Sequence, residues 1–296
     1  MYTTLLSAEQ LAALLDARAR LMIFDCTFDL ADPKSGEKQY LQAHIPGAVY
    51  AHLDHALSDK GTPDAQSGEP QPHQDAASGG RHPLPSREKF AMWLSGVGFA
   101  NDMQAVVYDR NGANYCGRLW WMLKWAGHEA VAVLDGGLQA WQATGGAVSA
   151  DTEPSHFQSN FELRAPLRTL VRTQDVARRL GRGGQTLIDA RAPQRFRGEV
   201  EPLDPVAGHI PGALNRPFVQ NIGTDGRFKP APQLRAEFEQ LLAGHDPSTV
   251  VHHCGSGVSA IPNLLAMELA GFAPTALYAG SWSEWCRTPD LPVEKG

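Results

Sequence analysis

The pentapeptide HIPGA stands at residues 44–48 and again at residues 209–213. An apolar run with an aspartate at or near its end precedes each copy: LMIFD ends at Asp25, and TLIDA contains Asp189. A helical pattern and then a β-rich run follow each copy, AVVYD in the first half and TVVHHC in the second. A period this long predicts two related domains, because the repeats of a solenoid are only a few dozen residues long.

The alternation of strand and helix patterns predicts the fold class. Such alternation is typical of parallel sheets covered by helices. We therefore expect an α/β fold with two tandem domains, residues 1–148 and 167–296, each a parallel sheet flanked by helices. The polar segment 149–166 is interpreted as the linker between them. The stretch 60–80, rich in Gly, Pro, Gln and Asp, is interpreted as an exposed insertion loop.

Composition and charge limit the partners that we expect. The 296 residues are 43% hydrophobic and carry a formal net charge of -6. This charge disfavours nucleic acid and anionic membranes as partners, because both select basic surfaces. No apolar run reaches the length of a membrane span, and the N-terminal residues lack the pattern of a signal peptide. We therefore expect a cytoplasmic protein.

The cysteines predict neither a disulfide framework nor a zinc site. They lie far apart in the chain, and no two of them form a Cys-x-x-Cys pair. The four are Cys26, Cys116, Cys254 and Cys286. We expect no metal and no cofactor.

Cys254 lies where a predicted strand meets a loop of small residues and then a helical pattern. Ligands bind beyond the carboxyl ends of the strands in an open parallel sheet, which is where this cysteine is expected. The small loop residues can turn their N–H groups inward to form a nest for an anion, next to the positive end of the helix. The loop consists of Gly255, Ser256, Gly257, Val258 and Ser259. This pattern favours a thiolate nucleophile at Cys254.

Other roles for these residues are less well supported. Free cysteines are often buried and inert, and we interpret the three cysteines other than Cys254 in this way, because none precedes a glycine-rich loop. His253 is a poor base for its neighbour, since adjacent strand residues point to opposite faces. The same geometry argues against a metal site of His252, His253 and Cys254. A cysteine-based phosphatase would need an arginine where this chain has Ala260.

These features together resemble the two-domain rhodanese family of sulfurtransferases. The resemblance rests on the two HIPGA domains, on a Cys-x-x-Gly-Val-Ser loop in the second half alone, and on the C-terminal sequence GSWSEWCRTPDLPVEKG. It covers nearly the whole chain and implies two tandem rhodanese-like domains. It also implies that Cys254 takes sulfur from a small-molecule donor, becomes a persulfide, and passes the sulfur to a thiol (thioredoxin, glutathione) or to cyanide. Asp109 matches Cys254 in the first half, which implies a catalytically silent first domain.

Within this family the loop sequence differs with the sulfur donor. Thiosulfate enzymes usually carry Cys-Arg-Lys-Gly-Val-Thr, and mercaptopyruvate enzymes usually carry Cys-Gly-Ser-Gly-Val-Thr. Residues 254–259 read Cys-Gly-Ser-Gly-Val-Ser. Without a loop cation, thiosulfate has little positive charge to bind, so the resemblance favours 3-mercaptopyruvate, with thiosulfate as the alternative. A non-enzymatic rhodanese-like interaction module is less favoured, because Cys254 is present in a complete loop.

The resemblance also implies residues that bind the donor. Arg195, after the DAR strand, matches an arginine that binds the donor carboxylate, as a guanidinium does with two parallel hydrogen bonds. The loop residues named above would complete that site. A second family arginine falls in a Glu-Pro-Arg string, where this chain has Leu203. Arg197 is the candidate replacement.

A proton relay is the last feature that the resemblance implies. Some family members pair the loop serine with a histidine and an aspartate of the first domain. The matching residues are Ser256, His82 and Asp54, and such a relay would move a proton as a pyruvate enolate leaves. The insertion separates Asp54 from His82 by more residues than the family pattern does.

Overall fold

The structure is a computed structural model that describes residues 1–61 and 73–296. Residues 62–72 of the predicted insertion loop lie outside the described residues. The chain forms two compact units. The first consists of Met1–Ser58, Pro85–Leu167 and Thr224–Phe228, and the second of Asp59–Leu84, Arg168–Gly223 and Lys229–Gly296. Among the described residues, no helix combines the length and the apolar character needed to cross a membrane.

The first unit contains a parallel five-stranded sheet in the order β1-β5-β4-β2-β3. Its strands are β1 (Leu5–Leu6), β2 (Leu21–Asp25), β3 (Val49–Tyr50), β4 (Gln104–Tyr108) and β5 (Val131–Leu134). Its helices are α1 (Ala8–Asp16), α2 (Ser35–Gln42), α3 (Arg87–Gly96), α4 (Cys116–Trp125) and α5 (Gly137–Ala143). Helix α1 begins with a capping box, in which Ser7 and Gln10 each accept the other's backbone N–H.

The second unit repeats this arrangement, with the strand order β6-β10-β9-β7-β8 and parallel pairing. Its strands are β6 (Thr169–Val171), β7 (Thr186–Asp189), β8 (Leu214–Asn215), β9 (Val250–His253) and β10 (Ala276–Tyr278). Its helices are α6 (Thr173–Arg179), α7 (Pro193–Phe196), α8 (Ala231–Leu242), α9 (Ile261–Leu269) and α10 (Ser281–Trp285). The α/β fold class and the structural repeat predicted from the sequence are confirmed.

The HIPGA histidine has the same structural role in both units. His44 stacks on Tyr40, with ring centroids 4.0 Å apart, and its Nδ1 lies 2.7 Å from the Tyr40 carbonyl oxygen. His209 stacks on Phe196 at 3.8 Å, and its Nδ1 lies 2.7 Å from the Phe196 carbonyl oxygen. The repeated sequence therefore encodes the same local structure in both units. In each, a buried imidazole packs the chain before strand β3 or β8 against the preceding helix.

The segment interpreted as the linker packs against the first unit. The backbones of Ser149 and His44 exchange hydrogen bonds of 2.9 and 2.8 Å as an antiparallel bridge. Phe161 is buried, and its ring lies 5.8 Å from that of Phe99 and 6.1 Å from that of His128. The first unit therefore extends to Leu167.

Strand β9 is a central strand of the second unit and carries two buried histidines. It pairs with β10 on one side and β7 on the other, and its four residues are all buried. Burial lowers the pKa of His252 to about 3, and it also lowers the pKa of His253. Both imidazoles are therefore neutral at pH 7, in keeping with their prediction as strand residues.

We expect the free energy of unfolding to decrease as the pH falls below about 6.5, the usual pKa of a histidine in an unfolded chain. The unfolded chain then binds a proton at His252 that the folded chain binds only near pH 3, which costs about 1.4 kcal/mol per pH unit. Urea denaturation between pH 7 and pH 5 measures the slope. It should become shallower in His252→Leu and stay unchanged in His245→Leu, an exposed control. Equal slopes in the two variants would contradict the assignment.

Candidate active site

Cys254 lies directly after β9, at the carboxyl edge of the sheet, and is 2% exposed. Its backbone N–H donates to Ser281 Oγ at 3.1 Å, and its carbonyl accepts the N–H of Trp282 at 3.0 Å. The carbonyl of Gly255 accepts the N–H of Ser283 at 2.9 Å. The start of α10 therefore fixes the first two residues of the loop that follows β9.

Gly257 explains why the loop needs a glycine at its centre. Its φ angle is +72°, a left-handed conformation that glycine adopts without strain. A Cβ at this position would also clash with the carbonyl oxygen of Ala279. The loop can therefore turn sharply and lead into α9 at Ile261, with Pro262 in the first helical turn, where proline is tolerated.

The matching loop of the first unit is filled by its own carboxylate. Asp109 is buried, and its two oxygens accept four backbone N–H groups of the residues that follow it. The donors are Asn111 (2.8 Å), Ala113 (3.1 Å), Tyr115 (2.8 Å) and Cys116 (2.9 Å). This is the anion nest expected for such a loop, with an internal anion already bound in it.

The two cysteines beside this loop are poor nucleophiles. Burial raises the pKa of Cys26 and of Cys116 well above the usual thiol value, and the negative charge of Asp109 raises both further. Both thiols are therefore protonated near neutral pH, whereas the thiolate is the reactive form. The first unit has the loop but offers no reactive thiol in it.

The loop of the second unit carries no carboxylate of its own. Among the described residues, no group accepts a hydrogen bond from the backbone N–H groups of four loop residues. These positions are Ser256, Val258, Ser259 and Ala260. The comparison with Asp109 indicates what they can bind, namely a negative charge carried by Cys254 or by a group attached to its sulfur.

Two of the three predicted relay residues meet in the second unit. His82 Nδ1 lies 2.8 Å from Ser256 Oγ, and the two residues are 2% and 5% exposed. Ser256 directly follows Gly255 and is the second residue after Cys254. Asp54 belongs to the first unit, where its N–H donates to His52 Nδ1 at 3.0 Å. Its part in the relay stays a prediction.

Arg195 lies next to the loop, as a donor-binding residue must. Its Nε and Nη2 donate to Glu201 at 3.2 and 2.7 Å, and Nη2 is 3.4 Å from Asp204 Oδ2. Its Nη1 would be 3.4 Å from a Cβ built on Gly255. Arg197, in contrast, is 42% exposed and donates to Glu199 through Nε and Nη2. Its role in donor binding stays a prediction with less geometric support.

The structure adds a residue that sequence reasoning missed. Arg81 Nη2 would be 3.1 Å from a Cβ on Gly255, closer than either nitrogen of Arg195. Its Nη1 donates to Asp204 Oδ1 at 2.6 Å. In the sequence, Arg81 could be noticed as the neighbour of His82 in the string GRHPLP. No local pattern, however, predicts that this string lies beside the loop.

The DAR sequence before Arg195, residues 189–191, is fixed by a buried ion pair between its own aspartate and arginine. Arg191 binds Asp189 with Nε and Nη2, donates to the Gly208 carbonyl at 2.8 Å, and lies 4.8 Å from the ring of Trp282. Burial alone would raise the pKa of Asp189, but the Arg191 guanidinium and neighbouring N–H groups outweigh it and hold the pKa below its usual value. Within residues 1–61 and 73–296, no group of three His, Cys, Asp or Glu side chains is placed to hold a metal ion.

Comparisons with known proteins agree with this geometry. A family model described as the rhodanese-like domain matches residues 7–144 and 172–288. The chain is 44% identical to a Pseudomonas aeruginosa protein named probable 3-mercaptopyruvate sulfurtransferase, over 99% of the chain and 98% of that protein. It is 38% identical to a Mycobacterium tuberculosis protein named putative thiosulfate sulfurtransferase, over 99% of the chain and 97% of that protein.

Solved structures of similar proteins share the fold. A solved structure from Escherichia coli, described as a 3-mercaptopyruvate sulfotransferase, superposes on this chain with a TM-score of 0.75 and 30% identity. The match covers 96% of this chain and all of that one. A 3-mercaptopyruvate sulfurtransferase from Leishmania major gives a TM-score of 0.79 with 26% identity, over 98% of this chain and 76% of that one.

Proposed function

The chain belongs to the rhodanese-like family of sulfurtransferases, and from this premise we propose that it moves sulfur from 3-mercaptopyruvate to an acceptor through a persulfide on Cys254. The observation that carries the choice of donor is the hydrogen bond between His82 and Ser256 beside Cys254. A donor that leaves as an enolate needs a proton, and this pair would supply one. The name of the 44% identical relative supports the same donor, whereas that of the 38% identical relative supports thiosulfate.

In the first half-reaction, the Cys254 thiolate attacks the sulfur atom of 3-mercaptopyruvate. A sulfur–sulfur bond forms as the carbon–sulfur bond of the donor breaks, and the electron pair of that bond passes to carbon as the enolate of pyruvate. Protonation of the enolate carbon releases pyruvate. The terminal sulfur of the persulfide is an anion, and the N–H groups of the loop, among them those of Ser256 and Val258, would stabilise it.

The His82–Ser256 pair handles the proton. The thiol proton of the donor must leave before or during attack, and the enolate must gain one afterwards. Ser256 Oγ, held at 2.8 Å by His82 Nδ1, can relay both, since a hydroxyl both donates and accepts. A positioned acid–base group of this kind typically contributes a factor of about 10² to 10⁴ in rate.

In the second half-reaction, a thiolate or cyanide attacks the terminal sulfur of the persulfide. The sulfur–sulfur bond breaks, its electron pair returns to Cys254, and the acceptor leaves with the sulfur as a persulfide or as thiocyanate. Thioredoxin, glutathione and cyanide are the acceptors that we propose, and no nucleic acid, membrane or cofactor takes part. A cytoplasmic location fits free thiols of this type.

Thiosulfate is the second candidate donor, and one observation favours it. The loop itself lacks a cation, but Arg81 and Arg195 bring two guanidinium groups to Gly255. Thiosulfate would therefore meet more positive charge beside the loop than the loop residues alone supply. Thiosulfate still leaves as sulfite, which needs no proton from Ser256, so the relay favours mercaptopyruvate.

Steady-state assays with 3-mercaptopyruvate and thiosulfate as alternative donors test the proposal. With cyanide as a common acceptor, we expect kcat/KM for 3-mercaptopyruvate to exceed that for thiosulfate at least about tenfold, the range of one charge-assisted hydrogen bond. A preference for thiosulfate would overturn the choice of donor and leave the family assignment in place.

A further inference from the structure

Residues 78–84, which include His82, form a short loop that is closed at its base. The Ala77 N–H donates to the Leu84 carbonyl oxygen at 2.8 Å, and Ser78 Oγ accepts the Leu84 N–H at 2.9 Å. From within this 78–84 loop, His82 Nδ1 lies 2.8 Å from Ser256 Oγ. The loop and helix α10 both belong to the second unit. The contacts that hold the loop therefore determine where the imidazole of His82 lies.

Two side chains of α10 hold the backbone of the 78–84 loop. Glu284 Oε2 accepts the Gly79 N–H at 3.1 Å, and Ser283 Oγ accepts the Arg81 N–H at 3.0 Å. Ser283 is fully buried, and its hydroxyl donates to the Gly280 carbonyl oxygen at 3.3 Å, so its oxygen acts as the acceptor toward Arg81. The second of these backbone attachments is only one residue before His82 in the sequence.

The two glycines of the 78–84 loop allow it to lie directly on α10. A Cβ on Gly79 would be 2.8 Å from Glu284 Cδ. A Cβ on Gly80 would be 2.6 Å from the Gly280 carbonyl oxygen and 2.7 Å from Ser283 Oγ. Gly80 also has a φ angle of +84°, a left-handed conformation that glycine adopts without strain. The pair Gly79-Gly80 therefore encodes a contact between the loop and α10 that larger residues would prevent.

The start of α10 also holds the loop that follows Cys254. The Ser283 N–H donates to the Gly255 carbonyl oxygen at 2.9 Å, between Cys254 and Ser256 in the sequence. Ser283 therefore binds one loop through its backbone and the other through its side chain. This double attachment sets the position of His82 relative to Ser256, the two side chains that would transfer the proton.

We propose that Ser283 and Glu284 are positioning residues for proton transfer, which hold the 78–84 loop on α10 so that His82 meets Ser256. This proposal rests on the proposed function, because it assigns the two side chains a role in the proton relay of that function. Both act through His82 and are assigned no contact with the donor. A displacement of about 1 Å in a reacting group can cost about 100-fold in rate, so these contacts matter for turnover.

The first test removes the attachments one at a time. Ser283→Ala deletes the acceptor of the Arg81 N–H and keeps the backbone hydrogen bond to Gly255. We expect kcat for 3-mercaptopyruvate to fall about tenfold, the effect of one lost hydrogen bond at a buried site. The kcat for thiosulfate should stay unchanged, since sulfite leaves without a proton. Glu284→Ala should behave in the same way, whereas Glu284→Gln should retain most of the activity, because an amide oxygen also accepts the Gly79 N–H.

The second test displaces the whole loop. Gly80→Ala should lower kcat for 3-mercaptopyruvate about 100-fold, because the new Cβ would push the loop away from α10. Turnover of thiosulfate by the same variant shows that the protein is folded. Gly181→Ala is the matched control: Gly181 has a φ angle of +67°, but nothing lies within 4 Å of a Cβ at this position. It adds similar backbone strain without a clash and should retain activity with both donors.

Double variants separate positioning of His82 from support of the fold. If Ser283 acts through His82, adding Ser283→Ala to His82→Gln should lower the rate with 3-mercaptopyruvate no further. An unchanged kcat in Ser283→Ala, an equal loss with both donors, or an additional loss in the double variant would overturn the positioning role. The proposed function fails separately if the unaltered protein rejects 3-mercaptopyruvate, or if His82→Gln alone lowers turnover of both donors equally.

Discussion

Replacing Cys254 with alanine should abolish sulfur transfer from either donor, with kcat/KM reduced by a factor on the order of 10⁴ or more. The reason is that the reaction passes through a covalent bond to this one sulfur atom. The loop around Cys254 holds no second thiol, and a serine hydroxyl such as that of Ser256 cannot form a persulfide. Initial rates of thiocyanate formation with cyanide as acceptor measure the effect.

Two cysteine variants serve as controls. Cys116→Ala removes the thiol at the matching loop of the first unit, and Cys286→Ala removes the other thiol of the second unit. Burial, followed by the charge of Asp204, raises the pKa of Cys286 to about 11, so its thiolate is scarce at neutral pH. Both variants should retain activity. A comparable loss in Cys116→Ala would contradict the silent role of the first unit.

His82→Gln should lower kcat with 3-mercaptopyruvate about 100-fold and leave turnover of thiosulfate nearly unchanged. Departure of pyruvate requires a proton at the enolate carbon, whereas sulfite leaves without one. Ser256→Ala removes the other half of the 2.8 Å hydrogen bond and should have the same effect. Parallel assays of each variant with the two donors separate a proton-transfer defect from a general loss of structure.

The double variant of His82 and Ser256 adds a check on the relay. If the two side chains act as one unit, the combined loss should equal either single loss, because groups that act together are not additive. His245→Gln, at an exposed site, is the surface control and should retain activity. Equal losses with 3-mercaptopyruvate and thiosulfate would show that His82 only supports the loop.

Much of the fold can be predicted from the sequence because the patterns that encode its elements are local. Each HIPGA histidine packs on an aromatic ring of the preceding helix region, Tyr40 or Phe196, so the signal and the structure it encodes lie within a short stretch. The central strands are equally local, since parallel strands buried on both faces appear as apolar runs such as the one before Cys254. Neither inference needs knowledge of distant contacts.

The domain division and Arg81 are different, because they depend on long-range packing. Residues Asp59–Leu84 cluster with the second unit although they interrupt the first in sequence. Their attachment rests on pairs such as Arg81 with Ser283 and Gly79 with Glu284, which no local pattern reveals. The cation missing at Leu203 could be noticed in the sequence. The position of Arg81 beside Gly255 could be found only in three dimensions.

Asp109 lies between these two cases. Its alignment with Cys254 follows from the repeat, and so does the absence of a thiol at that position. The four N–H groups that its carboxylate gathers are visible only in the structure. They show the loop of the repeat binding an anion, which is the property that the persulfide mechanism requires of the loop after Cys254.

If the proposed function is correct, sulfur from 3-mercaptopyruvate resides on Cys254 between the two half-reactions. The most direct test treats the protein with one equivalent of donor and no acceptor, measures pyruvate, and locates the sulfur by mass spectrometry of the peptides. We expect one pyruvate per chain and one added sulfur atom on the Cys254 peptide, with the other three cysteine peptides unchanged. Release of pyruvate with an unmodified Cys254 peptide, or with the added sulfur on another cysteine, would contradict it.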